Sequence, residues 1–105
     1  MPDISKQNEV KAQVRTRLKR CGKSMFVQEC EYFARHPDMN GAAYLKAKYH
    51  YTHNSAATKA ANCRALVRDK TLLHEALRQI ALSTAQVEKT VRRKAGDILA
   101  ARGGT

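Results

Sequence analysis

Four polar side chains recur at helical spacing between residues 55 and 62 of this sequence. They are Ser55, Thr58, Lys59 and Asn62, at positions i, i+3, i+4 and i+7, which places them on one face of a helix. Most of them are short, so the backbone can approach a partner closely, and asparagine and lysine suit adenine and guanine edges in the DNA major groove. This pattern favours a DNA-recognition helix, although the solvent face of an ordinary amphipathic helix has the same spacing.

Two alanine-rich helices separated by a polar break would position this face. Residues 40–48 predict a supporting helix with Asn40 as its N-cap, and a second helix begins at Asn54 or Ser55 and continues to Leu66. The break between them is slightly longer than the three or four residues of a standard helix-turn-helix. The two segments together predict a helix-turn-helix.

Further helical patterns divide the chain into three parts. Residues 1–23 are predicted to be a basic arm or helix, residues 24–82 the helix-turn-helix domain, and residues 83–105 a C-terminal helix. The last helix and residues 70–82 favour an antiparallel hairpin, a candidate oligomerisation element. No run alternates apolar and polar residues with β-branched enrichment, so we expect an all-α fold of four or five helices.

Residues with capping side chains mark where the flanking helices begin and end. Ser24 and Asp69 are predicted N-caps, and Ser83 with Gln86 forms a capping-box pattern before the last helix. The first of these helices is expected to end just before Pro37, because proline disfavours helical backbone at the residue that precedes it.

The charge of the chain points to a polyanionic partner. The formal net charge is +11 and the pI is about 10.0, with the excess in residues 1–23 and 54–105. Double-stranded DNA fits both this charge and the helical pattern, whereas an acidic protein or RNA would fit the charge alone. Tyr44 and Tyr49 are expected to pack in the core. The residues predicted to contact DNA besides the four named above are Arg15, Arg17, Lys19, Arg20, Lys46, Lys48, Tyr51, His53, Asn54, Arg64 and Arg68.

Other chemistries find little support in the sequence. Glu29 and Glu31 stand at i and i+2, point in different directions on a helix, and are expected on a solvated face. No nucleophile elbow or glycine-rich phosphate loop is present, so an enzyme is not expected. His50 and His53 with Cys63 lack the paired spacing of a zinc site, and we predict no metal and no cofactor.

The cysteine pattern indicates a reducing compartment, and the short apolar runs argue against a membrane-spanning segment. Cys21, Cys30 and Cys63 are odd in number and irregularly spaced, which favours reduced thiols in the cytoplasm, with Cys30 and Cys63 as small core residues. The longest apolar runs are only a few residues, far below the roughly 20 that a membrane helix needs. We therefore expect no membrane association.

Several ordered phrases within residues 24–80 resemble the N-terminal domain of phage small terminase subunits. The phrases are Phe26-Val27-x-Glu29 with Tyr32, then Asn40 with AAYLKAKY, then NSAATKAANCRALVRDKTLLHEAL. In such proteins a comparable aromatic phrase is followed by an alanine-rich helix ending in AGY and by a second helix. Two departures stand out here, because Lys48 replaces the glycine before Tyr49 and HYTHN replaces a shorter turn.

The resemblance implies a function and partners. It implies a non-enzymatic subunit in the host-cell cytoplasm that recognises viral DNA for genome packaging and assembles as a homo-oligomeric ring. Its partner would be a large terminase subunit that carries the ATPase and the nuclease. By the same resemblance the recognition helix corresponds to Asn54–Leu66 and the supporting helix to Asn40–Lys48. A phage or bacterial transcription regulator or a nucleoid-type DNA binder is the alternative, with the same helices and no packaging motor.

Overall fold

The computed structural model describes residues 4–83 and 89–102, and these residues form six α-helices. In chain order they are α1 (Ile4–Cys21), α2 (Lys23–Arg35), α3 (Gly41–Tyr49), α4 (His53–Val67), α5 (Lys70–Ala81) and α6 (Lys89–Ala101). The described residues contain no strand, so the all-α prediction is confirmed. The expected number of four or five helices is too low, because residues 4–21 form a sixth, packed helix, one of the two alternatives predicted for this segment.

Helix α4 lies at the centre of the packing and contacts α1, α2, α3 and α5. The largest fully buried apolar side chains come from five helices and are Val14, Leu18, Phe26, Val27, Phe33, Leu45, Leu66, Leu77 and Ile80. Helix α1 alone supplies Val14, Leu18 and Cys21 to this core. The N-terminal segment is therefore part of the folded body, and the boundary predicted after residue 23 does not separate it from the rest.

Two of the predicted N-caps, Asn40 and Asp69, and the predicted end of α2 are confirmed. Asn40 Oδ1 accepts a hydrogen bond of 3.1 Å from the backbone N–H three residues later, and Asp69 Oδ1 accepts two from the first turn of α5. Helix α2 ends at Arg35, shortly before Pro37, as predicted. The N-cap predicted at Ser24 is wrong, because α2 starts one residue earlier and leaves its N-terminus without a side-chain cap.

The connection between α3 and α4 has three residues, His50 to Thr52. His50 adopts left-handed backbone at φ 60°, and the Thr52 hydroxyl caps α4 by accepting a 3.2 Å hydrogen bond from the backbone N–H of Ser55. The prediction that α4 begins at Asn54 or Ser55 is wrong, because Thr52 caps the helix first. The turn therefore has the length of a standard helix-turn-helix motif.

Helices α3 and α4 approach each other closely where α3 begins. A Cβ atom on Gly41 would lie 2.8 Å from Phe33 Cε2 and 3.1 Å from the Ala60 Cβ atom. Gly41 itself is buried, so only a residue without a side chain fits between α2 and α4. This contact fixes the beginning of the supporting helix against the helix that follows the turn.

Helices α5 and α6 pack against each other, as expected of a C-terminal hairpin, and α6 also contacts α2. Leu73, Leu77 and Ile80 of α5 are buried. Gln86, the second residue of the predicted capping box, lies outside the described residues. Among the described helices, none combines the length and the apolar character that crossing a membrane requires.

Three free thiols are distributed over three of the core helices. Cys21 ends α1, Cys30 lies in α2 and Cys63 lies in α4, and each is at most 1% exposed. The prediction that Cys30 and Cys63 are core residues is confirmed. Burial raises the pKa of Cys21 to about 12 and that of Cys30 to about 11, and it also raises the pKa of Cys63. The thiols are therefore protonated at neutral pH.

Candidate nucleic-acid interface

One stripe of α4 faces the solvent, and we call it the α4 outer face. It consists of Asn54, Thr58, Ala61 and Arg68, which are exposed, with the partly exposed Ala65 between the last two. Their spacing of i, i+4, i+7, i+11 and i+14 keeps them on one side of the helix. Apart from Arg68 at the C-terminal end, these side chains are short, so a partner can approach the backbone of α4 closely.

The face predicted from the sequence is rotated from this one by about a quarter turn, which is roughly the 100° step between successive helix residues. Of the four predicted residues only Thr58 is fully exposed, whereas Ser55 and Lys59 are partly covered and Asn62 is 5% exposed. Helix α1 covers that side because it packs on α4 instead of forming an arm. Periodicity identified an amphipathic helix but not which of its flanks a neighbour would occupy.

Asn62 is held by two hydrogen bonds within the protein. Its side-chain oxygen accepts a hydrogen bond of 3.2 Å from Arg17 Nη1 of α1, and its Nδ2 donates one of 2.8 Å to the backbone oxygen of Thr58. The structure therefore contradicts the prediction that Asn62 faces a DNA groove. Its role is to join α1 to α4.

Lys59 and Tyr51 lie on the covered side of α4 with the N-terminus of α2. Lys59 Nζ donates a hydrogen bond of 3.4 Å to the backbone oxygen of Cys21 and lies 5.0 Å from the centre of the Tyr51 ring. The same ring stacks on Tyr49 at a centroid distance of 5.4 Å. The predicted grouping of Lys59 with Thr58 on one exposed stripe is therefore wrong.

Arg64 stabilises the connection between α2 and α3. Its Nη1 atom donates hydrogen bonds to the backbone oxygens of Phe33 at 2.9 Å and His36 at 3.1 Å, and Nη2 donates one of 2.8 Å to that of Met39. The guanidinium also lies 4.8 Å from the centre of the Phe33 ring. The structure engages this side chain with carbonyls at and after the end of α2, and its predicted phosphate contact stays a prediction.

Lys48 is paired with a buried carboxylate that the sequence analysis placed on a solvated face. Glu29 is 1% exposed, its Oε1 accepts a 2.6 Å hydrogen bond from the Tyr44 hydroxyl, and its Oε2 accepts from the Tyr49 hydroxyl and lies 2.7 Å from Lys48 Nζ. Burial raises the pKa of Glu29, but the hydrogen bonds from Lys48, Tyr44 and Tyr49 outweigh it, so the pKa lies below its usual value. We name these four residues the Glu29 cluster.

The Glu29 cluster links α2 to the end of the supporting helix. The hydrogen bond to Glu29 raises the pKa of Lys48, which therefore remains charged but is neutralised by its partner. The prediction of packing roles for Tyr44 and Tyr49 is confirmed, since both rings pack against the core. The burial of Glu29 was not predicted from the sequence, because the helix that carries it is covered on several sides by helices distant in the chain.

The basic residues of α1 divide into two groups. Arg17 and Arg20 line a shallow depression on one side of the helix, on the flank that meets Asn62. Arg15 and Lys19 lie on the other side, where they line a larger cavity. Only the first pair therefore lies beside the α4 outer face.

Carboxylates are sparse in the segments that form the α4 outer face and its borders. No aspartate or glutamate occurs between residues 10 and 28 or between residues 39 and 68, which together include most of α1 and all of α3 and α4. Lys46, His53 and Arg68 are exposed in these helices or beside them. Lys48 is paired with Glu29 from outside these segments. Positive charge therefore predominates in the two segments.

The sequence analysis missed Ala61 and Ala65 of the outer face. A signal existed in the sequence, since Ala57, Ala61 and Ala65 recur at i, i+4 and i+8 and leave a strip of backbone without large side chains.

No protein-family model, no curated protein and no solved structure matches this chain.

Proposed function

We propose that this protein binds double-stranded DNA by placing the α4 outer face in the major groove. The observation that supports the proposal is the stripe of short side chains on α4, exposed after a three-residue turn and bordered by positive charge. The major groove is about 12 Å wide and admits an α-helix. The N-terminal part of a recognition helix usually contacts the bases, and that part of α4 carries the exposed Asn54 and Thr58.

The side chains of the outer face divide into base contacts and phosphate contacts. Asn54 has the donor and acceptor that match an adenine edge, Thr58 can bond to either kind of edge, and the Ala61 methyl group suits contact with thymine. Arg20 and Arg68 hold phosphates at the two sides of the helix. Phosphate contacts supply affinity, whereas Asn54 and Thr58 supply preference for sequence.

Duplex binding over a salt series tests this arrangement. We expect Asn54→Ala and Thr58→Ala to lose about 1–3 kcal/mol of discrimination among sequences while the salt slope remains. Arg20→Gln and Arg68→Gln should weaken binding to all sequences and reduce the slope by about 1. Lys94→Gln, which removes an exposed charge from α6, is the control of equal charge. The proposal fails if Lys94→Gln reduces binding as much as the two arginine variants do.

The finer proposal is that this DNA binding serves viral genome packaging, as in small terminase subunits. It rests on the resemblance of residues 24–80 and on the standard turn length, which removes one of the two departures from that family's pattern. We expect a ring-shaped homo-oligomer in solution, preference for packaging-site DNA over random duplex, and capture of a motor ATPase. A monomer or dimer that binds DNA and captures no ATPase would support the regulator or nucleoid-type alternative instead.

A further inference from the structure

A second basic feature lies away from the α4 outer face. A cavity of about 640 Å³ opens between the C-terminal half of α1, the start of α2, the start of α4 and α6. Arg15 and Lys19 of α1, Lys23 of α2 and Lys59 of α4 line it, and no carboxylate is among the described residues of its wall. We call it the α1–α2 cavity.

The cations of the α1–α2 cavity converge on a helix end that is itself positive. Lys59 Nζ lies 3.8 Å from the position of a Cβ atom on Gly22, the residue that precedes α2, and Lys23 is the first residue of that helix. The first turn of α2 has no acidic residue and its N-terminus has no side-chain cap. A helix N-terminus carries about half a positive charge, and it therefore favours an anion beside it.

The partners that these lysines have in the protein leave their charges uncompensated. Lys23 Nζ donates a hydrogen bond of 3.1 Å to the Ser83 hydroxyl, and Lys59 Nζ donates one of 3.4 Å to the Cys21 backbone oxygen. Both acceptors are neutral, so each ammonium keeps its charge and further donors for an external acceptor.

The aromatic lining of the cavity restricts the kind of anion. Tyr51 lies in the wall, but its ring already stacks on Tyr49, and Lys59 Nζ lies 5.0 Å from the centre of the same ring. The site therefore offers cations and backbone N–H groups, which recognise a compact oxyanion and give no preference for a base.

We infer that the α1–α2 cavity is a phosphate-binding site separate from the α4 outer face. The shared chemistry is a phosphoryl group held by Lys19, Lys23 and Lys59 at the N-terminus of α2. Two sources supply such a group, namely a free inorganic phosphate or pyrophosphate and the backbone of a bound nucleic acid. The inference does not depend on the proposed recognition of DNA by α4.

Calorimetric titration with pyrophosphate and with orthophosphate tests the site directly. We expect saturable binding that Lys19→Gln and Lys23→Gln each weaken about tenfold, the loss of one charge-assisted hydrogen bond. Lys94→Gln is the matched control, because it removes an exposed charge from α6 that does not line the cavity, and it should leave phosphate affinity unchanged. Circular dichroism of each variant verifies that the fold is intact.

Competition identifies the source of the phosphate. If saturating pyrophosphate displaces duplex DNA at constant ionic strength, the cavity holds a backbone phosphate, and if DNA binding is unaffected, the site serves free phosphate. The absence of saturable binding of either phosphate, or equal weakening by Lys94→Gln, overturns the inference. Unchanged DNA binding in the variants of the α4 outer face, with phosphate binding intact, would refute the proposed function and leave this site standing.

Discussion

Replacing Glu29 by glutamine should destabilise the protein more than any other single removal of a carboxylate charge from α2. Glu29 is fully buried and accepts hydrogen bonds from the Tyr44 and Tyr49 hydroxyls and from Lys48 Nζ. Glutamine keeps the shape and one acceptor oxygen, but its amide nitrogen donates and would face Tyr49 and Lys48. The change therefore removes a charge and reverses the polarity of one atom with little change in volume.

The expected loss follows from the kind of bond that each partner makes. A hydrogen bond to a charged group contributes about 1.5–3 kcal/mol and a neutral one about 0.5–1.5 kcal/mol, so two tyrosine bonds together lose about 2 kcal/mol. The Lys48 side chain is 50% exposed. Its pairing is therefore screened by water, and it adds at most about 1 kcal/mol. We expect a loss of about 2–3 kcal/mol, or about 10–20 °C in Tm for a domain of this size.

Urea unfolding followed by circular dichroism at neutral pH measures this loss. Glu31→Gln is the matched control, because Glu31 lies two residues away on the same helix, is exposed, and is 3.8 Å from Arg35, which is more exposed still. It should cost only a few tenths of a kcal/mol, roughly the contribution of a surface pair. The argument fails if Glu29→Gln costs no more than Glu31→Gln.

The pH dependence gives an independent check with a defined sign. The pKa of Glu29 in the folded protein lies below its ordinary value of 4.5. The carboxylate therefore stabilises the fold fully above pH 4.5, and this stabilisation is lost as the pH falls through the lower folded pKa. The difference in stability between the wild type and Glu29→Gln should shrink in that acidic range. A difference that stays constant down to the acid transition would show that charge is not the cause.

Three further substitutions test the packing described above, each by urea unfolding. Gly41→Ala should destabilise the protein by about 1–3 kcal/mol, because its Cβ atom overlaps a phenylalanine ring. Gly96→Ala, with open space around the new Cβ atom, should stabilise α6 by up to about 1 kcal/mol. Equal effects of the two substitutions would contradict the close approach of α3 to α2 and α4 at Gly41. His50→Gly should stabilise by about 0.5–1 kcal/mol, because glycine accepts positive φ without strain; a loss would show that the imidazole has a structural role. Arg64→Gln should destabilise by about 2 kcal/mol through the lost carbonyl bonds, while the salt slope of DNA binding stays unchanged. Because this substitution removes the charge, a slope reduced by about 1 would support the predicted phosphate contact.

Local signals in the sequence were enough to predict the fold class and several helix boundaries. Asn40 and Asp69 are caps whose side chains act within their own first turn, so their effect is visible in the sequence. Thr52 is a cap of the same kind, but Asn54 and Ser55 follow it closely and look equally suitable. The choice among neighbouring candidates is decided by where α3 ends, which depends on tertiary contacts.

The candidate site was predicted less well, because exposure depends on which helices pack together. The sequence places Thr58 and Asn62 on one helical stripe, but only the packing of α1 decides that Asn62 is covered and Thr58 is not. The same holds for Arg64 and Glu29, whose partners lie 15 to 31 residues away in the chain. A charged side chain that binds a distant backbone or a buried tyrosine leaves no periodic signal.

The three buried thiols can report the local opening of the helices that carry them. Cys21, Cys30 and Cys63 lie one each in α1, α2 and α4, and none is accessible to a reagent in the closed core. A thiol-specific reagent can therefore modify each cysteine only while the helix that carries it is open, so the modification rate gives the free energy of that opening. Variants that retain a single cysteine would show whether α1 separates from α4 before the core unfolds, and so whether bound DNA or phosphate holds the two helices together.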